Sequence, residues 1–263
     1  MNQRFTFYLR EYGILVAFVA VFAVRSFLSP AFFTLRNVLN VLDQSAQVGL
    51  IALGATITII GGGFDLSSGA IFALAGTTAA FIANLGYPLL GIFVGILVGV
   101  GLGIANGALI AGLRLNSFVT TLASGLMIRG AAFVVTAGLL IKVDSELFSF
   151  LGRGRILEAK FPVYVLIVVT ILFALFLSRT TLGRYIYAIG GNEEAARLSG
   201  IRTNAIRMMT FAISGLCAGL AGVIAASRIA TGQANVGNGI ELEAIAAVVI
   251  GGTSILGGDL KWI

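Results

Sequence analysis

The sequence predicts an all-α polytopic membrane protein with about eight transmembrane helices and a cytoplasmic N-terminus. Of its 263 residues, 58% are hydrophobic and 11% are charged, and the mean hydropathy is +1.03. A soluble domain carries about 25% charged residues, so this chain has too little ionic surface for a water-soluble globule. The net charge of +6 forms no basic block. We therefore expect the lipid bilayer to be a partner of the chain, and we expect no nucleic-acid partner.

Breaks in the apolar pattern separate the predicted spans, each of which needs about 20 apolar residues. The first span ends before Pro30, because the residue before a proline disfavours the helical conformation. Residues 29–46 mix apolar and polar side chains and are predicted to lie at the membrane interface. Residues 66–113 contain no charge, which suits two crossings that separate near Pro88. The predicted spans are 12–28, 47–60, 68–83, 88–112, 117–141, 161–178, 208–227 and 242–256.

Basic residues predict the orientation. The polar segment 179–207 holds five arginines and two glutamates, whereas 142–160 holds four basic and three acidic residues. Lys and Arg favour the cytoplasmic side, so 179–207 is predicted to be cytoplasmic and 142–160 periplasmic. Six crossings precede the cytoplasmic loop, which also places the N-terminus, with Arg4 and Arg10, in the cytoplasm. The whole chain, 1–263, is expected to form one transmembrane domain.

Missing residue types limit the chemistry. The chain has no histidine and a single cysteine, Cys217, so metal sites, imidazole catalysis and disulfides are not expected. An intramembrane enzyme would need a catalytic pair, and no mid-span aspartate has a clear second aspartate as its partner. No phosphate-binding P-loop pattern occurs. We therefore expect no enzyme activity, no metal and no cofactor in this chain.

The fourth predicted span has a glycine at every fourth position, and the seventh repeats this spacing. Residues four apart form one ridge on a helix, and glycine there allows another helix to approach closely. The pattern predicts tight packing within the chain or, alternatively, an interface between subunits. The predicted packing residues are Gly91, Gly95, Gly99, Gly103, Gly107, Gly215 and Gly219.

A glycine-rich segment at 61–69 contains an acidic residue between two apolar spans. Asp65 or Ser67 is suited to cap the following helix. The alternative is a helix broken inside the protein, whose irregular backbone lines a cavity, as transporters allow. Arg129 is a second ionisable group at membrane depth, where such groups are costly and often functional. Its alternative role is a structural contact with carbonyl groups or an acid.

The polar segment 179–207 contains a predicted short helix. Asn192 can cap it, Glu193 and Glu194 suit its positive end, and Gly200 can end it in a left-handed conformation. A short capped helix between two spans is typical of a docking element, whereas the alternative is an ordinary connecting loop. Its predicted apolar contact surface consists of Ala195, Ala196 and Leu198.

Near the C-terminus, an apolar helix again runs into paired glycines at 251–252, as at 61–62. This similarity predicts a faint internal repeat.

Four blocks then carry a family resemblance. They are GGFDLSSG at 62–69, Asn106-Gly107 with LNSFVTTL at 115–122, Gly183-Arg184 with YAIGGNEEAARLSGI at 187–201, and ELEAIAAVVIGGTS at 241–254. In these blocks the chain resembles the permease subunits of bacterial ABC importers for monosaccharides, the ribose-type branched family. Asn116 stands where that family commonly has proline. Relatives look longer by about two helices, so the C-terminus is expected to be truncated.

The resemblance implies a multi-pass permease of the bacterial inner membrane, driven by a separate ATPase subunit that binds ATP and Mg²⁺. It also implies a periplasmic sugar-binding protein at 142–160 and 229–240, and a second permease copy. A passive sugar channel and a non-functional truncated permease remain alternatives. The implied ATPase-coupling residues are Asn192, Glu193, Glu194, Ala195, Ala196 and Gly200. The hydroxyl, amide and acidic residues suited to a sugar pathway are Asp65, Ser67, Asn106, Thr120 and Thr121.

Overall fold

The computed structural model describes residue 16, residues 18–254 and residues 257–258. Arg4, Arg10, the start of the first predicted span and the end of the eighth lie outside the described residues. Among the described residues the helices are α1 (Phe18–Leu28), α2 (Leu35–Ile60), α3 (Ser68–Asn84), α4 (Pro88–Leu113), α5 (Ser117–Thr136), α6 (Glu146–Arg153), α7 (Phe161–Arg179), α8 (Thr181–Gly191), α9 (Glu193–Leu198), α10 (Thr203–Ile229) and α11 (Ile240–Ile250). The strands are β1 (Ile141–Lys142), β2 (Arg155–Ile156), β3 (Ala159–Lys160) and β4 (Thr231–Gly232).

Five of these helices are long and apolar enough to cross a membrane: α2, α4, α5, α7 and α10. Two shorter apolar helices, α1 and α3, accompany them. The predicted helical architecture is therefore present, but the eighth predicted span is wrong as a full crossing. Helix α11 has 11 residues and is about 16 Å long, roughly half of the hydrocarbon core. Its paired glycines end it at Ile250 rather than at residue 256.

Helix α2 joins two segments that were predicted to be separate. Residues 29–46 were expected to lie at the interface and 47–60 to form the second span, yet one helix of 26 residues covers Leu35–Ile60. No proline or glycine interrupts 35–48, so the polar residues in that stretch do not end the helix. The break comes earlier, at the turn around Pro30.

The chain divides into two compact units, one ending at Gln44 and the other beginning at Ser45. In the first unit, four phenylalanine rings form a cluster. The centroid of the Phe22 ring lies 5.4 Å from that of Phe18 and 4.8 Å from that of Phe32, and Phe33 lies 5.2 Å from Phe32. These tilted and edge-on arrangements are the favoured geometry for aromatic pairs.

Helices α3, α4 and α10 form the centre of the second unit. The glycine ridge of α4 lies against the other two helices: Gly91 faces the backbone of α3, and Gly99 and Gly103 face the backbone of α10 around Gly215. A Cβ atom on any of these glycines would overlap a neighbouring carbonyl oxygen or peptide group. The missing side chains thus permit direct backbone contact between helices.

The glycine ridge packs inside one chain, which decides between the two alternatives for this face. All five ridge glycines of α4 are buried against α3 and α10, so this face cannot also be the seam between two permease copies. The expectation that the glycine-lined helices form that seam is therefore wrong for this side of α4. The opposite side of α4 exposes large apolar residues, namely Leu89, Leu90, Phe93, Leu97, Ile104 and Leu109.

Both predicted polar loops contain regular structure. The fifth predicted span ends at Thr136 rather than at 141, and β1 then pairs with β4 in an antiparallel arrangement. Within 142–160, β2 pairs with β3, and α6 packs on the end of α10. The backbone N–H of Gly152 donates to the Ser227 hydroxyl at 2.7 Å, which fixes α6 in place.

The ends of α2 and α11 repeat the same hydrogen-bond pattern. Gly62 and Gly252 have φ angles of +75° and +92°, in the left-handed region that glycine favours. After α2, the N–H groups of residues 61, 62 and 63 donate to the carbonyls of residues 57, 59 and 58, respectively. After α11, the N–H groups of residues 251, 252 and 253 donate in the same way to the carbonyls of residues 247, 249 and 248. The faint sequence repeat therefore has a backbone counterpart.

Replacing Gly103 by alanine is expected to destabilise the protein, because the new methyl group would overlap the carbonyl oxygen of Phe211. Overpacking of this kind costs about 1–3 kcal/mol, which exceeds the roughly 1 kcal/mol that alanine gains in helix propensity. Gly101→Ala is the matched control, because that position faces open space on the same helix. Thermal unfolding in detergent should show a lower midpoint for Gly103→Ala only. Equal midpoints would contradict direct backbone packing.

Candidate functional site

The buried carboxylate of Asp65 joins the segment between α2 and α3 to helix α10. Its Oδ1 accepts hydrogen bonds from the backbone N–H and the hydroxyl of Ser67, and its Oδ2 accepts one from the Ser214 hydroxyl at 2.7 Å. Asp65 is 4% exposed, and both serines are buried. A buried charge needs such donors, since an unpaired carboxylate would be strongly penalised.

Two further residues extend this network to α4 and α5. The Asn106 side-chain amide on α4 donates to the Ser67 hydroxyl at 2.8 Å. The backbone N–H of Leu66 donates to the Thr121 hydroxyl on α5 at 3.0 Å, and that of Phe64 donates to Ser117 at 3.1 Å. The irregular backbone of 61–67 is thus held by side chains from three surrounding helices, which supplies the partners it lacks itself.

The structure brings together four of the five predicted pathway residues: Asp65, Ser67, Asn106 and Thr121. They form a closed, mutually satisfied cluster in which each of the four is at most 4% exposed. Thr120 lies outside the cluster, because its hydroxyl donates to the Asn116 carbonyl of its own helix. In this conformation the four residues hold the segment in place, and their role in a sugar pathway stays a prediction.

The two alternatives for Asp65 are resolved in part. Ser67 is the N-cap residue of α3, but its side chain makes no capping hydrogen bond because its hydroxyl donates to Asp65. Asp65 itself accepts the Ser67 N–H, a turn that precedes the helix. Ser214 and Ser117 were not predicted from the sequence as partners of this segment. The local sequence feature that could have indicated Ser214 is its position directly before the predicted packing residue Gly215.

Arg129 contacts backbone carbonyls, as one of its two alternatives proposed. Its guanidinium on α5 donates to the carbonyls of Ala234 at 3.1 Å and Val236 at 2.6 Å, and more weakly to that of Gly237 at 3.4 Å. Glu241 lies close enough to attract it electrostatically. Arg129 therefore fixes the segment between β4 and α11 against α5.

The short helix predicted in 179–207 is α9, and its ends have the expected caps. The Asn192 side chain accepts a hydrogen bond from the Ala195 N–H at 3.0 Å. At the other end Gly200 has a φ of +84°, the Gly200 N–H donates to the Arg197 carbonyl, and the Ile201 N–H donates to the Ala196 carbonyl. This pair of bonds is a Schellman motif, which ends a helix sharply.

One face of α9 is anchored and the other is exposed. Ala196 is buried in an isoleucine cluster of α2, α8 and α10, and Glu193 pairs with Arg207 of α10 at 2.6 Å. Leu198 is 78% exposed, and Glu194 is exposed as well. The predicted apolar contact surface is therefore divided: Ala196 faces the protein, whereas Ala195 and Leu198 face outward.

A cleft of about 460 Å³ lies beside α9, between the end of α4 and the start of α10. Glu194 and Arg197 pair across 2.6 Å, and this hydrogen bond lowers the pKa of the exposed Glu194 carboxyl. Arg114 ends α4 in a left-handed conformation with a φ of +53°. The residues that line the α9 cleft are Ala111, Arg114, Leu115, Glu193, Glu194, Arg197, Thr203, Asn204 and Arg207.

Comparison with known proteins identifies the family. A family model described as "Branched-chain amino acid transport system / permease component" matches residues 37–258. The chain is 40% identical over 256 residues to the ribose import permease protein of Escherichia coli (strain K12), covering 95% of this chain and 80% of that protein. The chain belongs to the ribose-type family of sugar permeases. No solved structure matches it.

Other members of the ribose-type family are similar over the same region. The L-arabinose transport system permease protein of Escherichia coli (strain K12) is 38% identical, with 94% of this chain and 76% of the relative covered. The galactofuranose transporter permease protein of the same strain is 39% identical, with 93% and 74% covered. The resemblance inferred from the four sequence blocks is therefore confirmed, and the chain is a transport component rather than an enzyme.

Asp65→Ala is expected to lower the free energy of unfolding by about 1–3 kcal/mol, because the hydroxyls of Ser67 and Ser214 lose a buried acceptor. Asp144→Ala makes the same change at an exposed position and is expected to shift stability by less than about 0.5 kcal/mol. Thermal unfolding of both variants in detergent measures the difference. Similar unfolding midpoints would show that Asp65 does not hold the segment.

Proposed function

We propose that this chain is the transmembrane subunit of an ATP-binding-cassette importer in the bacterial inner membrane. It moves a monosaccharide, ribose or a related sugar, by alternating access driven by a separate ATPase subunit. ATP and Mg²⁺ bind to that subunit, since this chain has no phosphate-binding loop of its own. The names of the relatives, which refer to ribose, L-arabinose and galactofuranose, support the class of cargo.

The geometry of α9 is the observation that carries the proposal. The helix is attached to α2, α8 and α10 through Ala196 and the Glu193–Arg207 pair, and it exposes Glu194, Ala195 and Leu198. A partner that pushes on this exposed face displaces α9 together with α10. We assign this face to the cytoplasmic ATPase and the α9 cleft to the edge of the same contact.

Coupling from α9 to the pathway follows helix α10. Arg207 holds α9 near the start of α10, and Ser214, two turns or about 10 Å further on, holds Asp65. Movement of α10 therefore acts directly on the segment between α2 and α3. We propose that Asp65, Ser67, Asn106 and Thr121 exchange partners when the ATPase closes, which opens the pathway.

The opposite side of the protein is assigned to delivery of the sugar. Helix α6 and the paired strands β1 and β4 form a structured surface at 141–160 and 231–232. We propose that a periplasmic sugar-binding protein docks on this surface. A second permease copy completes the pathway, and the exposed apolar side of α4 is available for it or for lipid.

Leu198→Glu is expected to reduce co-purification of the ATPase subunit at least tenfold, because a charge replaces an exposed leucine in the proposed interface. Burial of a leucine contributes about 1.5–3 kcal/mol, which corresponds to roughly 10–150-fold in affinity. Leu157→Glu is the matched control, since Leu157 is 90% exposed on the proposed periplasmic side. Equal recovery of the ATPase with both variants would contradict the assignment of the exposed face of α9 to the ATPase contact.

Sugar uptake by proteoliposomes tests the energy source. We expect uptake of labelled ribose or arabinose only when the permease is reconstituted with the ATPase subunit, the sugar-binding protein and ATP. A non-hydrolysable ATP analogue is the control and should abolish uptake. Flux through the permease alone would instead support a passive channel, and no flux under any condition would support a non-functional permease.

A further inference from the structure

The segment between β4 and α11 crosses the surface of α5 and ends beside α3. Arg129 holds it through the carbonyls of Ala234 and Val236. The segment then turns at Gly237 and Gly239, whose φ angles are +69° and +82°, and α11 begins at Ile240. Glu241, the second residue of α11, therefore lies close to Gly69, the second residue of α3.

The Glu241 carboxylate has one oxygen that is buried without a hydrogen-bond partner. Within the part of the chain that the structure describes, Oε2 is inaccessible to solvent and accepts no hydrogen bond. It lies against the backbone of Gly69, where any side chain would collide with it. Buried polar atoms in native proteins are almost always paired, so an exception calls for an explanation.

The charge of this carboxylate is compensated even though its oxygen is unpaired. Arg129 attracts Glu241 electrostatically. The N-terminal ends of α3 and α11 meet at this point, and helix N-termini favour negative charge. These interactions stabilise the charge while leaving one acceptor unused. A ligand hydroxyl is the group that such an acceptor would take.

Glu241 also lies level with the middle of α10, a helix that is long and apolar enough to cross a membrane. Asp65, four residues before Gly69, bonds to Ser214 of α10, and Phe72, three residues after Gly69, packs on Gly222. Glu241 therefore lies between the levels of Ser214 and Gly222, in the middle of the 27-residue α10. Binding near the bilayer midplane at the ends of short, broken helices is a common arrangement in transporters.

We propose that the Glu241 carboxylate accepts a hydrogen bond from a sugar hydroxyl during passage, and that Arg129 is a positioning residue that holds the segment preceding α11. This inference rests on the proposed function and adds a residue for cargo contact that the sequence analysis did not name. The Asp65 cluster is fully paired, whereas Glu241 retains a free acceptor. Contact with cargo therefore falls to Glu241.

Access requires the segment 233–239 to move away from α3. A cavity of about 20 Å³ lies beside this segment, and its lining includes Thr77, Thr231 and Gln233. The cavity has room for about one water molecule and is too small for a sugar. The two left-handed glycines at 237 and 239 lie at the end of the segment, directly before α11. We infer that rotation at these glycines separates the segment from α3 and opens Glu241 to the pathway.

The test compares Glu241→Gln with Glu243→Gln in the reconstituted importer. Glu243 lies on the same helix and is exposed. At saturating sugar-binding protein we expect Glu241→Gln to lower the rate of ribose uptake at least tenfold and Glu243→Gln to change it less than twofold. ATPase co-purification should stay unchanged in both variants. If the wild-type importer takes up ribose and Glu241→Gln does not lower the rate, this inference alone is overturned. If the wild-type importer takes up no ribose, the proposed function is overturned.

Carboxyl labelling of the wild-type importer covers the case in which Glu241→Gln does not fold. A water-soluble carbodiimide with a small amine is applied during ATP turnover, and modified peptides are quantified by mass spectrometry. We expect ribose to reduce labelling of Glu241 at least threefold, while labelling of Glu243 is unaffected. Labelling of Glu241 that is the same with and without ribose overturns the assignment.

Discussion

The rest of the structure depends on the need to satisfy one buried carboxylate. Asp65 is removed from water, so each of its oxygens requires donors at hydrogen-bond distance. Those donors come from Ser67 in the same segment and from Ser214, which is 149 residues further along the chain. Asn106 then fixes the orientation of Ser67. One buried carboxyl group thus connects the segment to α10, and through Ser67 to α4, by hydrogen bonds.

The glycine ridge makes this arrangement possible. Serine has a short side chain, so Ser214 can reach Asp65 only if α10 approaches the segment closely. The contacts of Gly99 and Gly103 with the backbone around Gly215 bring α4, which carries Asn106, close to α10, which carries Ser214. Small-residue packing and the polar cluster therefore support each other, because helices held further apart would leave the carboxylate without its second donor.

Local features of the site could be predicted from the sequence, whereas its long-range contacts could not. The Asn192 cap, the Gly200 turn and the glycine spacing depend on neighbours within one or two helical turns, and the structure contains all three. The partners of Asp65, the carbonyls bound by Arg129 and the position of Glu241 depend on tertiary packing. The predicted lengths of α2 and α11 were wrong. The polar residues in α2 do not break that helix, and paired glycines end α11 before residue 256.

The two ion pairs of α9 differ in their exposure and in the helices that they connect. The Glu194–Arg197 pair is more than half exposed, so solvent screens the attraction between the two charges. Both residues belong to α9, so this pair connects α9 to no other helix. Glu193–Arg207 is less exposed and joins α9 to α10. Together with the burial of Ala196, it attaches α9 to the start of α10. Since α10 also holds Ser214 and packs on α3 near Gly222, a single helix contacts α9, the Asp65 cluster and the part of α3 that lies near Glu241.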